Sequence, residues 1–422
     1  MDTNARLQSF KIILHFLLCV VLIGCSIDSP LEGSFTSPVP KSDSSQDSDT
    51  GDTLRILATM ENQSSIIDEY QKKFPDRAVL WDYATGDAFL QKLGATPAPD
   101  LVIAGNELLS IISGFDLFED VGIGPYHAGE LIQKKWFNGL TLTPFQSIDG
   151  QSLIAIPKDF PMEGTFYRAD ILKEYGFPSD PEELGEFMEH PDNWILLAET
   201  LKSHDIGVIG YTHDVLNMAA AGYGYFDHYG NYARNTENLV PYASLMLDIE
   251  RKGLDSNWNM WDDKGQQAIR DSKLVMLYMG EWGWDLIKQW DPDHYGQWKF
   301  TRPPFNAYWA NGGFFFSIMK ASPNKSAAWE YVQLSMEMEG PYRESLTGWK
   351  WHPDVRNHWS SPLAVKAEEI WSKQLQNLIN TDISGSHLLQ TMETKTLEEL
   401  GNDLKILNGL FNLSNRTDVN HE

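Results

Sequence analysis

The stretch GEWGW, residues 280–284, places a glutamate, Glu281, beside two tryptophans, Trp282 and Trp284. Indole faces stack on the CH faces of a pyranose ring, and carboxylates and amides bond to its hydroxyl groups. The chain has 15 tryptophans, and most of them lie after residue 190. Although most tryptophans pack in cores, this pairing of indole with carboxylate predicts a cleft for a polyhydroxyl ligand.

Patterns for other kinds of site are missing from the sequence. The 11 histidines form no HExxH motif and no paired Cys/His pattern, so we expect no metal site. No glycine-rich phosphate loop occurs, and we expect no cofactor. Hydrolysis of a glycosidic bond needs two positioned carboxylates. No separate catalytic signature marks such a pair, so we predict a binding protein and keep a polysaccharide-degrading enzyme as an alternative.

The only two cysteines, Cys19 and Cys25, lie near the N-terminus. Arg6 and Lys11 precede the run IILHFLLCVVLIG, which is too short for a comfortable membrane span and fits the core of a signal peptide. The run ends in Leu-Ile-Gly-Cys, which resembles a bacterial lipobox. We therefore expect cleavage after residue 24 and lipidation of Cys25. Residues 25–52 are rich in Ser, Asp and Pro and read as a flexible tether.

The charge balance limits the partners. With 59 acidic and 33 basic residues, the formal net charge is -26. Such a surface repels nucleic acid and anionic lipid, so we expect no nucleic-acid partner and contact with the membrane only through the N-terminal lipid. A neutral or a cationic ligand fits this charge.

The folded body begins with alternating short apolar runs and amphipathic segments, which predict β-α-β-α-β and therefore an α/β fold with a parallel sheet. Further strands are predicted at 152–157, 206–211, 273–280 and 313–320, and a helix is predicted to end at Gly253. In open α/β sheets, ligands bind beyond the carboxyl ends of the strands. We therefore expect the site in the loops that follow each strand.

Four segments together resemble the bacterial extracellular solute-binding proteins of ABC transporters, in particular the maltose-binding type. They are TPAPDLVIAGNELLSII, GQSLIAIPKDFPMEGTFYRADILKEYG, DSKLVMLYMGEWGWDLIK and GGFFFSIMKASPNKSAAWEYVQ. Their order and spacing also match over about residues 53–360. Two tryptophans of the maltose-binding type have no counterpart, because Ala104 and Gly105 stand where one is expected and the C-terminal segment lacks the other.

The resemblance implies a two-lobed periplasmic-binding-protein-like fold of type II, with the ligand cleft between the lobes. The implied segments are 1–24 for the signal peptide, 25–52 for the lipidated tether, 53–145 and 309–355 for lobe 1, and 148–307 and 356–422 for lobe 2. Together with the expectation that ligands bind in the loops after strands, the resemblance implies a set of ligand-binding candidates. They are Thr59, Glu61, Asn62, Asn106, Glu107, Asp159, Glu163, Tyr211, Asp214, Tyr223, Trp282, Trp284, Trp309, Asn311, Gly312 and Trp351.

The expected function is that of an exported protein, lipid-anchored to the outer face of the bacterial cytoplasmic membrane, or to a periplasm-facing membrane if the host is Gram-negative. It would bind a mono- or oligosaccharide as a monomer and deliver it to ABC-transporter permease subunits. A binding protein for a cationic ligand such as a polyamine stays open, because carboxylates and aromatic faces also suit a cation.

Overall fold

The structure is a computed structural model of the chain. It describes residues 53–135, 142–159, 163–227, 230–308, 313–339 and 361–417. The expected signal peptide, Cys25, Trp309, Asn311, Gly312 and Trp351 lie outside the described residues. Among the described residues, no helix has both the length and the apolar character needed to cross a bilayer.

Strands and helices alternate through most of the body. The strands are β1 (Thr53–Ala58), β2 (Ala78–Tyr83), β3 (Leu101–Gly105), β4 (Ile156–Pro157), β5 (Glu163–Arg168), β6 (Met276–Gly280), β7 (Trp298–Thr301) and β8 (Phe314–Ile318). The first helices are α1 (Ser64–Lys73), α2 (Gly86–Leu93), α3 (Leu109–Ile112), α4 (Ala128–Lys135), α5 (Ala169–Glu174), α6 (Pro181–Met188) and α7 (Pro191–Lys202). The later helices are α8 (Asp214–Ala220), α9 (Val240–Lys252), α10 (Asp263–Arg270), α11 (Gly283–Trp290), α12 (Lys325–Glu339), α13 (Ala364–Leu378) and α14 (Gly385–Thr417).

The larger sheet has five strands in the order β2-β1-β3-β8-β4. Strand β1 pairs in parallel with β2 and β3, while β8 pairs antiparallel with β3 and β4. All five residues of β3 are buried, because helices or other elements cover both faces of this central strand. Ile66 and Tyr70 of α1 lie four positions apart and pack into the core beneath this sheet.

The smaller sheet has three antiparallel strands in the order β6-β5-β7. Each face has its own apolar core, because alternate residues of β5 point to opposite sides. Tyr167 joins the cluster around Trp194 and Leu197 of α7, and Phe166 joins the cluster around Trp298 and Phe300. Glu163 begins β5 and pairs in register with Gly280.

Helices α8, α9, α13 and α14 form a separate helical layer with its own core, which includes the buried Trp371. Gly385 begins α14 against α9, where a Cβ atom would lie 2.4 Å from Ser244 Oγ. The C-terminal helix α14 therefore packs closely against α9, which lies between β5 and β6 in the sequence.

The structure confirms the predicted β-α-β-α-β opening and its parallel pairing. It also confirms the end of α9 at Gly253, whose φ of 61° is the left-handed conformation that glycine tolerates. The strand predicted at 206–211 is wrong, because only Gly207 forms a β-bridge, with Leu274. The strand at 152–157 is shortened to β4. Both runs are apolar and buried, but loops supply their remaining hydrogen bonds.

Candidate functional site

A cavity of about 420 Å³ lies against the smaller sheet and α8, and we call it the aromatic pocket. Its wall includes Glu163, Asp214, Asn217, Trp258, Trp261 and Tyr278. These residues come from β5, from α8, from the loop before α10 and from β6. Glu163 and Tyr278 are 115 positions apart in the sequence, yet β5 and β6 are neighbouring strands, so the sheet pairing brings them together.

Asp214 begins α8 and holds the turn before it. Its Oδ2 atom accepts a hydrogen bond from the Tyr211 amide at 2.9 Å, and its Oδ1 lies 3.6 Å from His213 Nε2. The Tyr211 and His213 rings are stacked, with centroids 5.4 Å apart. Burial raises the pKa of Asp214, although the Tyr211 amide and His213 oppose this rise. The carboxyl group thus fixes Tyr211 in the wall of the aromatic pocket.

Glu163 is the most deeply buried carboxyl group of the aromatic pocket, with 5% of its surface exposed. Its cross-strand neighbour Gly280 has no side chain that could cover it. Burial raises the pKa of Glu163 to about 8, and no charged group among the described residues contributes to this shift. The Glu163 carboxyl group is therefore mostly neutral at pH 7.

Two exposed indoles stack on each other at the edge of this pocket. Trp261, which lines the pocket, and Trp282, which precedes α11, are 53% and 46% exposed. Their ring centroids are 6.0 Å apart and their planes differ by 20°. Trp290 contacts Trp261 edge-on at 5.6 Å and supports it from behind. Exposed indole faces of this kind suit stacking against a ligand.

A second cavity, of about 460 Å³, adjoins the first, and we call it the arginine pocket. Asn217 and Ala221 line both cavities. Glu107 follows β3 of the larger sheet and faces Arg234 and Glu368 across the arginine pocket. This cavity therefore joins residues of the larger sheet to residues of the helical layer.

The Arg234 guanidinium is held between two aromatic rings. Its carbon atom lies 3.6 Å from the Tyr225 centroid and 4.9 Å from the Trp371 centroid, and Nε donates to the Tyr223 carbonyl at 3.1 Å. The Tyr225 hydroxyl bonds to Glu368. These contacts fix one cation in the wall of the arginine pocket, which two glutamates, Glu107 and Glu368, also line.

Tyr223 lies in a third, smaller cavity of about 190 Å³, together with Tyr242, Asn306 and Tyr308. Met218 of α8 lines this cavity and the aromatic pocket. All three cavities therefore border the same short helix and its C-terminal end.

The candidates that follow the larger sheet's strands lie at its carboxyl edge. Thr59 Oγ accepts from the Gly105 amide at 3.0 Å, and the Asn106 amide donates to the Gly313 carbonyl. Asp159 Oδ1 accepts from the Phe314 amide. These bonds tie the ends of β1, β3, β4 and β8 together. Glu61 and Asn62 are exposed after β1, and none of these five side chains lines the three cavities described above.

Trp284 packs differently from Trp282, although only one residue separates them. Its ring contacts Phe166 edge-on at 4.9 Å and Tyr295 at 5.9 Å, within the core of the smaller sheet. Its indole nitrogen is buried and has no hydrogen-bond partner in the described part of the chain. The structure thus brings Glu163, Tyr211 and Asp214 together in one pocket, places Trp282 at its edge and directs Trp284 into the core.

Sequence reasoning missed the loop SNWNMW, which supplies Trp258, Asn259 and Trp261 to the aromatic pocket. It also missed Asn217 and Arg234. The loop precedes a helix and follows no strand, so the strand-end argument did not reach it. Its signal was the alternation of asparagine with tryptophan just before Asp262, which caps α10 through a hydrogen bond from the Gly265 amide.

Within the described ranges, no group of three or more His, Cys, Asp or Glu side chains is placed to hold a metal ion. The ionisable groups of the aromatic pocket are carboxyl and phenol groups, and its remaining lining is aromatic, aliphatic or amide. Such a lining suits reversible capture of a ligand by stacking and hydrogen bonding.

Solved structures of similar fold come from bacterial transport systems. The sugar-binding protein MalE of Xanthomonas citri has a TM-score of 0.66 and 18% identity, covering 84% of this chain and 98% of that chain. The galacto-N-biose-/lacto-N-biose I-binding protein of the ABC transporter from Bifidobacterium longum has a TM-score of 0.63 and 16% identity, covering 83% and 97%. These likenesses confirm the two-lobed type II binding-protein fold, and such low identities show the fold alone.

No curated protein matches the sequence of the chain. The profile of a family described as bacterial extracellular solute-binding protein matches residues 65–341, which is more than half of the 422 residues. The matched range includes the aromatic pocket, the arginine pocket except for its α13 side, the smaller sheet, and the larger sheet except for β1. The chain therefore belongs to the bacterial extracellular solute-binding protein family.

Proposed function

We propose that this protein is an extracytoplasmic lipoprotein that captures a carbohydrate between its two lobes and delivers it to the permease of an ABC transporter. The observation that carries the proposal is the row of cavities around α8, bordered by the stacked indoles of Trp261 and Trp282. The two larger cavities fall within the usual size range of small-molecule sites, about 300 to 1,000 Å³.

Capture would use both lobes, with lobe 1 formed by 53–145 and 309–355 and lobe 2 by 148–307 and 356–422. Strand-end groups of the larger sheet, such as Thr59 and Asn106, would contact the ligand after a hinge closure. Glu107 supports this idea, because it already lines the arginine pocket together with residues of the helical layer. Closure would exclude water from the ligand and strengthen its hydrogen bonds.

A thermal-shift screen of the purified body against mono- and oligosaccharides tests carbohydrate capture. A ligand present at a hundred times its dissociation constant should stabilise the folded state by about 2.7 kcal/mol. Absence of any shift across the sugar panel, with the protein shown to be folded by circular dichroism, would contradict the proposal.

A binder of cationic ligands is the second candidate function. It is favoured by the two carboxyl groups and the aromatic rings of the aromatic pocket. Adding spermidine and putrescine to the same screen separates the two candidates. Bond cleavage is tested by incubating the protein with labelled oligosaccharides, and product formation would favour an enzyme over a carrier.

Anchoring by a lipid on Cys25 and release of the ligand to a permease complete the proposal. Residues 25–52 would act as a tether that holds a monomeric body at the outer face of the membrane. Light scattering of the purified body tests the monomer. Transport of the identified sugar into cells with and without this chain tests delivery.

A further inference from the structure

Glu163 is a buried polar side chain that opens into the aromatic pocket and has no side-chain partner among the described residues. Only 5% of its surface is exposed, and its carboxyl oxygens make no hydrogen bond within the described ranges. Gly280 opposite it leaves the pocket side of the carboxyl group uncovered. Buried carboxyl groups are normally paired or hydrogen-bonded, so the bound ligand is the natural source of the missing partner.

The groups around Glu163 show which partner fits best. Among the described residues that line the aromatic pocket, none is Lys or Arg. The titratable groups that face it are Asp214, Tyr211 and Tyr278, with His213 beside Asp214. The Tyr278 hydroxyl already donates to the Val208 carbonyl, and Tyr211 is stacked on His213.

Two carboxyl groups therefore share one cavity without a basic residue between them. Trp258 and Trp261 add electron-rich ring faces, which attract cations. A ligand hydroxyl group would satisfy the hydrogen bonds of Glu163 but would bring no charge to stabilise its carboxylate form. An ammonium group supplies the hydrogen bonds and the charge together.

We propose that the ligand is an amino sugar, and that its ammonium group pairs with Glu163 inside the aromatic pocket. This inference rests on the proposed carbohydrate capture and narrows its substrate class. The sugar ring stacks on the indoles, and the ammonium group lies between Glu163 and Asp214. Pairing converts the neutral Glu163 carboxyl group into a carboxylate, so one proton leaves the protein as the cation enters.

Matched sugars test the selectivity by isothermal titration calorimetry of the full folded body. The sets are glucosamine, glucose and N-acetylglucosamine, the corresponding galactose series, and the β-1,4-linked disaccharides of glucosamine and glucose, with spermidine as a sugar-free cation. We expect the amine to bind at least tenfold more tightly than its matched hydroxyl and acetamide forms.

Proton release gives a second readout that needs no variant. From a pKa of about 8, about 0.9 of the Glu163 carboxyl groups are protonated at pH 7. Titrations in phosphate and in Tris should therefore show net release of up to about 0.9 proton per amino sugar bound, less the proton taken up by any amine that is unprotonated at pH 7. The affinity should also rise by about tenfold between pH 6 and pH 7.

Glu163→Gln keeps the size of the side chain and removes its titration. We expect this variant to lose the proton release and to bind the amino sugar at least tenfold more weakly. The control is Glu174→Gln, which changes an exposed glutamate on α5 and should leave both readouts unaltered.

The outcomes separate this inference from the proposed function. Equal or tighter binding of the hydroxyl form by the unaltered protein overturns the ammonium pairing and leaves carbohydrate capture in place. Binding of spermidine without binding of any sugar overturns both the amino-sugar ligand and carbohydrate capture, and favours the binder of cationic ligands. Absence of binding to every probe overturns both.

Discussion

Trp282 and Trp284, on either side of Gly283, should respond in opposite ways to replacement by alanine. Trp282 is 46% exposed and stacks on Trp261 at the edge of the aromatic pocket. Trp284 packs edge-on against Phe166 in the core of the smaller sheet. One substitution removes a surface for the ligand, and the other removes part of a core.

The expected magnitudes follow from these environments. An aromatic stacking contact contributes about 0.5–1.5 kcal/mol beyond buried area. Trp282→Ala should therefore weaken sugar binding by about two- to tenfold and change the free energy of unfolding by less than about 1 kcal/mol. Trp284→Ala should lower the free energy of unfolding by about 3 kcal/mol, at the low end for a tryptophan, because its indole nitrogen makes no hydrogen bond within the described part of the chain.

The assay combines calorimetric titration of the sugar identified by screening with urea unfolding followed by circular dichroism. Each variant serves as the control for the other, since both lose one indole from the same loop. The reasoning is refuted if Trp282→Ala destabilises the fold by several kcal/mol and leaves the dissociation constant unaltered. It is equally refuted if Trp284→Ala weakens binding without a change in stability.

Three further substitutions test other parts of the structure. Glu163→Gln should raise the free energy of unfolding at pH 7 by about 3 kcal/mol and leave it unchanged near pH 4. The reason is that the raised pKa of Glu163 makes the unaltered protein lose stability as the pH rises from about 4.5 to 8. Urea unfolding at several pH values measures this difference. Arg168→Met should lower the free energy of unfolding at pH 7 by about 3 kcal/mol, because it leaves the buried Asp291, 3.7 Å from the guanidinium, without its cation. Cys25→Ser should move the protein from the membrane fraction to the soluble fraction, as measured by immunoblotting of fractionated cells.

The controls for these substitutions are matched in chemistry. Glu174→Gln should show no pH-dependent gain in stability, and a gain as large as that of Glu163→Gln would contradict the assigned cause. Arg251→Met removes an exposed arginine that pairs with Asp248, and should cost less than about 1 kcal/mol. A Cys19→Ser variant should stay at the membrane. If the Cys25→Ser variant also stays there, the thioether anchor is wrong.

The opening of the fold was predictable because its signals are local. Ile66 and Tyr70 repeat at helical spacing, and the runs at β1, β2 and β3 are short and apolar, so element type follows from periodicity. The run at 206–211 is also short and apolar, but tertiary packing decides which groups form hydrogen bonds with its backbone. Gly207 bonds with Lys273 and Val275, and Ile209 accepts from Ser256 of a loop.

The candidate site was predictable in part for a related reason. Trp282 follows the carboxyl end of β6, where the strand-end rule applies, and Glu163 begins β5 within a segment that the family resemblance marks. Trp258 and Trp261 belong to a loop that reaches the same pocket only because α10 and the smaller sheet pack together. Arg234 depends on Tyr225 and on Trp371 of α13, and no spacing in the sequence links these three positions.

Strand β8 enters the larger sheet between β3 and β4 although it comes from far along the chain. Ser322 and Asn324, just after β8, bond to the buried Asp100, and Ser322 is 222 positions from it. Closing a loop of that length costs about 5 kcal/mol in chain entropy. A nascent chain that stops before Phe314 therefore has an unfinished sheet with an open β3 edge. Completion of this sheet waits for about three quarters of the polypeptide, a delay that suits a chain proposed to pass through a translocation channel before it folds.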